Sequence, residues 1–183
     1  MTGAGPFDEA AQGRSIFHSF GPKQVRPRVS TMLRDLFGRG RDGKRPDTKA
    51  AAAGLGVSQR TVQRWIKDGP PKNSASLSQL RSRWQDSPAG RRRQLDPATR
   101  QKLSQRQIVG GQAYGRIYIS QDRRNGSPRG FTFALEGEDA RAMLEAMQNG
   151  DDAAAYNAWL DGISKGFGGS VDQLEIEELR WDQ

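Results

Sequence analysis

The sequence predicts an α+β protein, helical first and stranded late. Three observations predict it. Residues 47–67 carry the apolar spacing of two short helices around a glycine turn. Residues 116–119 and 130–135 are runs of aromatic and branched residues on either side of Asn125-Gly126, a hairpin turn signal. The charge also changes sign along the chain: residues 1–134 hold 26 Lys and Arg against 9 Asp and Glu, and residues 135–183 hold 3 against 12. The expected architecture is an N-terminal helix-turn-helix bundle, a basic connector and a C-terminal mixed module of about β-β-α-α-β order.

Residues 1–28 read as a flexible arm, rich in Gly, Pro and scattered cations, with an apolar patch at Ile16, Phe17 and Phe20 able to dock elsewhere. Residues 29–85 form the expected helix-turn-helix domain. Val29–Phe37 opens it, with Met32, Leu33, Leu36 and Phe37 as its apolar stripe. Gly38–Pro46 is a basic loop, suited either to phosphate or minor-groove contact or to a solvated linker. Asp47–Gly54 is the first helix of the motif. Gly56 falls where the turn needs positive φ, and Ser58 where a second helix needs an N-cap. Val62, Trp65 and Ile66 then recur at helical spacing, and Asp68-Gly69-Pro70-Pro71 ends the helix. A further helix over 74–85 places Leu77, Leu80 and Trp84 on one side. Residues 86–112, rich in Arg, Gln and Ser, are a helical or extended basic connector. Residues 113–183 are the acidic module, with helices over 138–148 and 151–165 and a last strand over 174–181.

The outer face of the second motif helix carries the chemistry. Ser58, Gln59, Arg60, Thr61, Gln63, Arg64 and Lys67 are polar, and several lie at the helix N-terminus, the end that enters the major groove in this motif. Gln pairs bidentately with adenine and Arg with guanine. The competing reading is a polar surface helix in an unrelated bundle. Arg81, Arg83, Arg91, Arg92 and Arg93 are placed to neutralise phosphates whatever the sequence. A solvated charge face is the bland alternative for any one such cluster, but explains the excess over residues 1–134 poorly.

Catalytic and metal chemistry find little footing. His18 is the single histidine and there is no cysteine, which leaves no catalytic or metal-binding histidine pair. The glycine pairs 110–111 and 168–169 lack the Lys-Ser/Thr ending of a phosphate loop. The acidic groups Glu136, Glu138, Asp139 and Glu175, Glu177, Glu178 fit a helix start and a strand edge better than a Mg²⁺ site. No catalytic residue, metal or intrinsic cofactor is therefore assigned. No apolar run is long enough to span a membrane, and the first residues lack a secretory signal pattern, so a cytoplasmic, nucleoid-associated location is expected.

Gly-Val-Ser-Gln-Arg-Thr-Val-Gln-Arg-Trp-Ile-Lys at 56–67, Arg-Ser-Arg-Trp-Gln at 81–85, Thr-Phe-Ala-Leu at 132–135 and Leu-Glu-Ile-Glu-Glu-Leu-Arg-Trp at 174–181 follow one another in this order. In length and order the chain resembles the terminal proteins of linear actinomycete chromosomes and plasmids, over residues 29–183. The resemblance implies a protein that binds duplex and telomeric single-stranded DNA and becomes covalently attached to 5′ ends. It also implies priming of the synthesis that fills the recessed end. Partners would be a DNA polymerase, which brings Mg²⁺ and the dNTP, and a telomere-associated helper protein. The chain would be primer and substrate rather than enzyme.

In that family a threonine in the loop before the Thr-x-Ala-Leu strand accepts the nucleotide. Here the loop 120–129 has no threonine, and its hydroxyls are Ser120 and Ser127, with Tyr118 and Thr132 just outside. Ser127, beside Arg123, Arg124 and Arg129, is the preferred candidate; an ordinary turn serine in a member that does not prime is the alternative. The helix-turn-helix alone equally suits a transcriptional regulator, a plasmid maintenance factor or an architectural DNA-binding protein. The sequence carries no signal of oligomeric state.

Overall fold

The computed structural model describes residues 7–70, 75–95, 97, 101, 105, 108–119, 126–167 and 171–182. Among them the chain is α+β, with eight helices and a three-stranded antiparallel sheet. The helices are α1 (Glu9–Ser19), α2 (Val29–Phe37), α3 (Thr48–Leu55), α4 (Gln59–Asp68), α5 (Ala75–Asp86), α6 (Pro88–Gln94), α7 (Gly137–Asn149) and α8 (Asp152–Phe167). The strands are β1 (Ile108–Ile119), β2 (Pro128–Glu136) and β3 (Val171–Trp181). The chain divides into two compact units: Gln24–Gln94, which is helical, and Met1–Lys23 with Leu95–Gln183, which is mixed.

The helical unit is built around Met32 and Leu33 of α2, Ala51, Ala52 and Leu55 of α3, Val62 and Trp65 of α4, and Leu77, Leu80 and Trp84 of α5, all buried. The alanines of α3 matter because small side chains let helices approach closely. Trp84 is 1% exposed, and its indole N–H donates to Asp35 Oδ2 at 3.0 Å. A buried aromatic thus keeps its polar edge satisfied. The same carboxylate oxygen lies 3.5 Å from Arg93 of α6. Helix α6 starts where Ser87 Oγ accepts the Gly90 N–H at 3.2 Å. The stretch read as the start of a connector is therefore a helix of this unit.

In the mixed unit β1 is central, in the order β2-β1-β3. Val109 pairs with Leu135, Gly111 with Phe133 and Ala113 with Phe131 on one side; Ala113 pairs with Leu179 and Ile117 with Leu174 on the other. Strand alternation sends these residues to one face. That face packs on Met143, Leu144 and Met147 of α7 and Tyr156, Trp159 and Ile163 of α8. The Tyr156 hydroxyl donates to the Leu174 carbonyl at 3.1 Å and accepts the Leu174 N–H at 2.8 Å, where β3 is held to α8. The opposite sheet face, with Gln112, Tyr114 and Arg116 of β1, is exposed.

Two sequence expectations change here. The arm is not wholly flexible: residues 9–19 form α1, capped by Asp8, whose Oδ1 accepts the Ala11 N–H at 2.9 Å. Ile16 and Phe17 are buried in the core of the mixed unit. Phe20 stacks on Trp181 with ring centroids 4.3 Å apart, and Ser19 Oγ accepts the Trp181 indole N–H at 2.7 Å. The docking of the apolar patch overrides the weak propensity of a short, glycine-containing helix. The first strand also begins eight residues before 116, inside the expected connector. Its glycines disguise it. A Cβ at Gly115 would overlap the Glu175 carbonyl oxygen, beside a register shift between β1 and β3. Backbones this close leave no room for the side chains that mark a strand.

Candidate nucleic-acid interface

The sequence places the turn between α3 and α4, and local chemistry fixes its shape. Asp47 caps α3, its Oδ1 accepting the N–H groups of Lys49 and Ala50, each at 3.0 Å. Gly56 ends α3 at φ +65°, the left-handed region that side chains disfavour. Its N–H and that of Val57 close the turn onto Ala53 and Ala52 carbonyls. Ser58 caps α4, its Oγ accepting the Thr61 N–H at 3.1 Å. Val62 is fully buried and Trp65 is 4% exposed, which pins α4 to α3 and α2.

The side chains expected to touch DNA sort into three groups. Arg60, Gln63, Arg64 and Lys67 are exposed along the outer face of α4, with Gln59 at its start. These are the residues the fold brings together. Ser58, Thr61 and Gln59 also hold the motif in shape. Ser58 and Thr61 hydroxyls lie 2.8 Å apart, and Gln59 Nε2 donates to Thr48 Oγ1 at 2.9 Å, tying the two helices. Arg81, Arg83, Arg92 and Arg93 are exposed on α5 and α6. Of these, Arg83 donates to the Gly54 carbonyl at 2.6 Å, and so braces the end of α3. Arg91 departs from the expectation. It is 3% exposed, with Nη2 3.8 Å from Asp86, so it cannot reach a phosphate from this position. Consecutive residues on a helix point about 100° apart, so three adjacent arginines do not share one face.

Sequence reasoning left open what the basic loop does and missed its neighbours. Residues 39–46 form a closed hairpin with an Arg39–Pro46 bridge. The Gly40 N–H donates to the Arg45 carbonyl at 2.8 Å. Asp42 Oδ1 accepts the N–H groups of Lys44 and Arg45 at 3.0 and 2.9 Å. These donors, the Arg45 N–H first, hold the Asp42 carboxyl below its usual range. Asp42-Gly43, a strong tight-turn pair, was the signal in the sequence. Beside this hairpin stand Thr48 and Lys49 of α3, which the spacing argument did not single out.

The candidate attachment hydroxyls fall in the mixed unit. Ser127 is exposed, one residue before β2. Ser120, Arg123 and Arg124 lie outside the described residues. Thr132 is exposed on the open sheet face, and the Tyr118 hydroxyl lies 3.4 Å from Glu175 Oε1. Glu175 and Glu177 each approach Arg116 at 3.9 Å. Among the described residues, no three His, Asp or Glu side chains gather closely enough to hold a metal ion, and no helix is long and apolar enough to cross a membrane.

Comparison with protein-family models, curated proteins and solved structures finds no match for this chain.

Proposed function

We propose that this protein binds duplex DNA through α3, the Gly56 turn and α4, and that it serves as a terminal protein at the ends of a linear replicon. The observation that carries the first part is the exposed row Arg60, Gln63, Arg64 and Lys67 on a helix whose far side is fixed by buried Val62 and Trp65. Reading bases demands such rigidity, since a misplaced side chain loses its bidentate geometry. The unit holding this helix has 17 Lys and Arg against 5 Asp and Glu, a balance of +12. A charge of that sign supplies the salt-dependent affinity that any duplex binder needs.

The second part rests on the resemblance and on the exposed hydroxyl of Ser127. In the priming step the hydroxyl oxygen would attack the α-phosphorus of a dNTP. A phosphoester forms, the α–β anhydride breaks and pyrophosphate leaves. The proton passes to a base of the polymerase or to water. The polymerase supplies the metal ions, and this chain supplies the hydroxyl and holds it at the DNA end. The want of a threonine in the loop favours the second reading, a helix-turn-helix regulator or plasmid maintenance protein.

One experiment separates the two. The full chain is incubated with labelled dNTPs, an end-sequence template and a polymerase active on ordinary primers. Covalent label on the protein supports the terminal-protein reading, and its loss in Ser120→Ala/Ser127→Ala assigns the site. An unlabelled chain that still binds duplex DNA leaves the regulator reading.

A further inference from the structure

We infer that the 39–46 hairpin is half of a built groove for one sugar-phosphate strand of duplex DNA. The other half is the first turn of α3 and the Gln59/Gln63/Lys67 stripe of α4. This rests on the duplex-binding reading above and deepens it, because it assigns a second, sequence-independent contact to the same site.

Residues 59, 63 and 67 are four apart and share one side of α4, while Arg60 and Arg64 project from the neighbouring side. The first stripe, not the second, forms a wall of the groove. Arg41 and Arg45 from the hairpin and Lys49 from α3 form the rest. The four cations thus come from three separate segments of the chain. Cations gathered from several segments suit a linear polyanion rather than a single phosphate. The groove measures about 1060 Å³ and is open to solvent.

Two aspartates also border it, and both are engaged. Asp42 accepts the Lys44 and Arg45 N–H groups and Asp47 caps α3. Both keep their charge, and Asp42 Oδ2 lies 3.8 Å from Arg45 Nε, but four cations outnumber them. The hairpin is held by its own backbone bridge and by the bond from the Asp47 N–H to the Gly38 carbonyl at 3.1 Å. It therefore presents its arginines at little cost in ordering. With α4 in the major groove, a strand in this trough is the phosphate backbone bordering that groove. Arg60 and Arg64 face the bases, and the stripe beside them faces the backbone.

The test uses the full chain and a duplex selected from random sequences for tight binding. The affinity of wild type, Arg41→Ala/Arg45→Ala and Lys67→Ala is measured across salt on the selected and an unrelated duplex. The double variant should weaken both duplexes by the same factor. It should reduce the slope of log K against log salt by about 1.8, and Lys67→Ala by about 0.9. Neutral methylphosphonates placed beside the selected site should weaken wild type more than the double variant, which keeps only Lys49 and Lys67 in the groove; this comparison stays valid if a variant is slightly destabilised. An unchanged slope in both variants, with wild type binding normally, overturns the groove and leaves duplex binding standing. Loss confined to the selected duplex overturns it too, by making the hairpin a base reader. A wild-type chain without salt-dependent affinity for duplex DNA overturns both readings.

Discussion

The two units of this chain use charge in opposite ways. Gln24–Gln94 carries 17 cations and 5 acids, and four of the acids are structural. Asp35 holds the Trp84 indole and Arg93, Asp42 shapes the hairpin, Asp47 caps α3, and Asp86 lies against Arg91. Each of these four carboxylates shapes the fold, and the exposed face of α4 keeps its positive potential. The mixed unit carries 12 cations and 16 acids, and its exposed sheet face sets one sign against the other. Arg116 lies between Glu175 and Glu177, and Arg180 meets Glu178 at 2.5 Å. Exposed pairs of this kind contribute little to stability. They do cancel the field that would attract a polyanion. What differs between the units is thus not the number of arginines alone but what their partners do.

The sharpest way to break this comparison is to damage one core and watch the other. Trp84 and Trp159 are each at most 1% exposed, in separate clusters. Trp84→Ala should cost about 3–5 kcal/mol in the unit of Gln24–Gln94 and abolish duplex binding at raised temperature. Trp159→Ala should destabilise the mixed unit by a similar amount and spare duplex binding. Calorimetry with a parallel gel-shift assay checks both. A single transition that moves equally in both variants would show one cooperative body and remove the contrast.

Tyr156 gives the next effect. Burial pushes its hydroxyl up to about 12, against the lowering influence of its bond to Leu174. A raised folded-state value means that the stability it contributes is complete below about 10, the unfolded value, and is lost as pH rises from there through about 12. Tyr156→Phe should remove that alkaline slope. It should also cost about 1–3 kcal/mol, because the Leu174 N–H and carbonyl lose their partner. Thermal unfolding of the mixed unit across pH 9–12 checks it, and an unchanged slope in the variant would reject the assignment.

Arg64→Ala tests the face of α4 at a comparable magnitude in binding rather than stability. If Arg64 reads a base, the preferred duplex should lose about 1–3 kcal/mol and discrimination at one position should relax. Competition binding on single-base variants of the selected duplex reads this. Equal loss on every duplex would make Arg64 a phosphate contact and move the reading surface elsewhere.

The sequence made the helical unit more legible than the mixed one, for physical reasons. Gly56 and Ser58 are punctuation with one local meaning each, and Val62 and Trp65 have no other use at their spacing. Helix α2 matches its expected bounds. The order of two strands, two helices and a strand was also visible, because aromatic strands and amphipathic helices alternate cleanly. What stayed hidden depends on contacts distant in sequence. Helix α1 is ordered by Trp181 and the core 140 and more residues away. The early half of β1 is glycine where β3 presses on it, so it reads as a linker. Arg91 looks like its neighbours in sequence and differs from them only in the direction it faces. The exposed side of α4 was legible from spacing. Lys49 and the hairpin wall were not, since only the folded turn brings them to the same groove.

The smallest effect concerns Asp42, the counterpart of Tyr156 in the basic unit. Its carboxyl titrates below 3.8 because the Arg45 and Lys44 N–H groups favour the ionised form. A lowered folded-state value contributes stability that is full above the unfolded value and lost as pH falls through the folded one. The hairpin should therefore keep its shape in mild acid and loosen only in acid stronger than an ordinary aspartate needs. The mixed unit meets its own limit at the alkaline end, through Tyr156. Asp42→Asn separates charge from geometry, since the amide oxygen still accepts both N–H groups but no longer titrates. The variant should keep the hairpin's amide resonances at neutral pH and lose their shift in acid. NMR titration of the Lys44 and Arg45 amides reads this directly. A wild-type midpoint at or above 3.8 would mean that the hairpin does not hold the carboxylate, and that the ordered wall of the groove is looser than its backbone bonds imply.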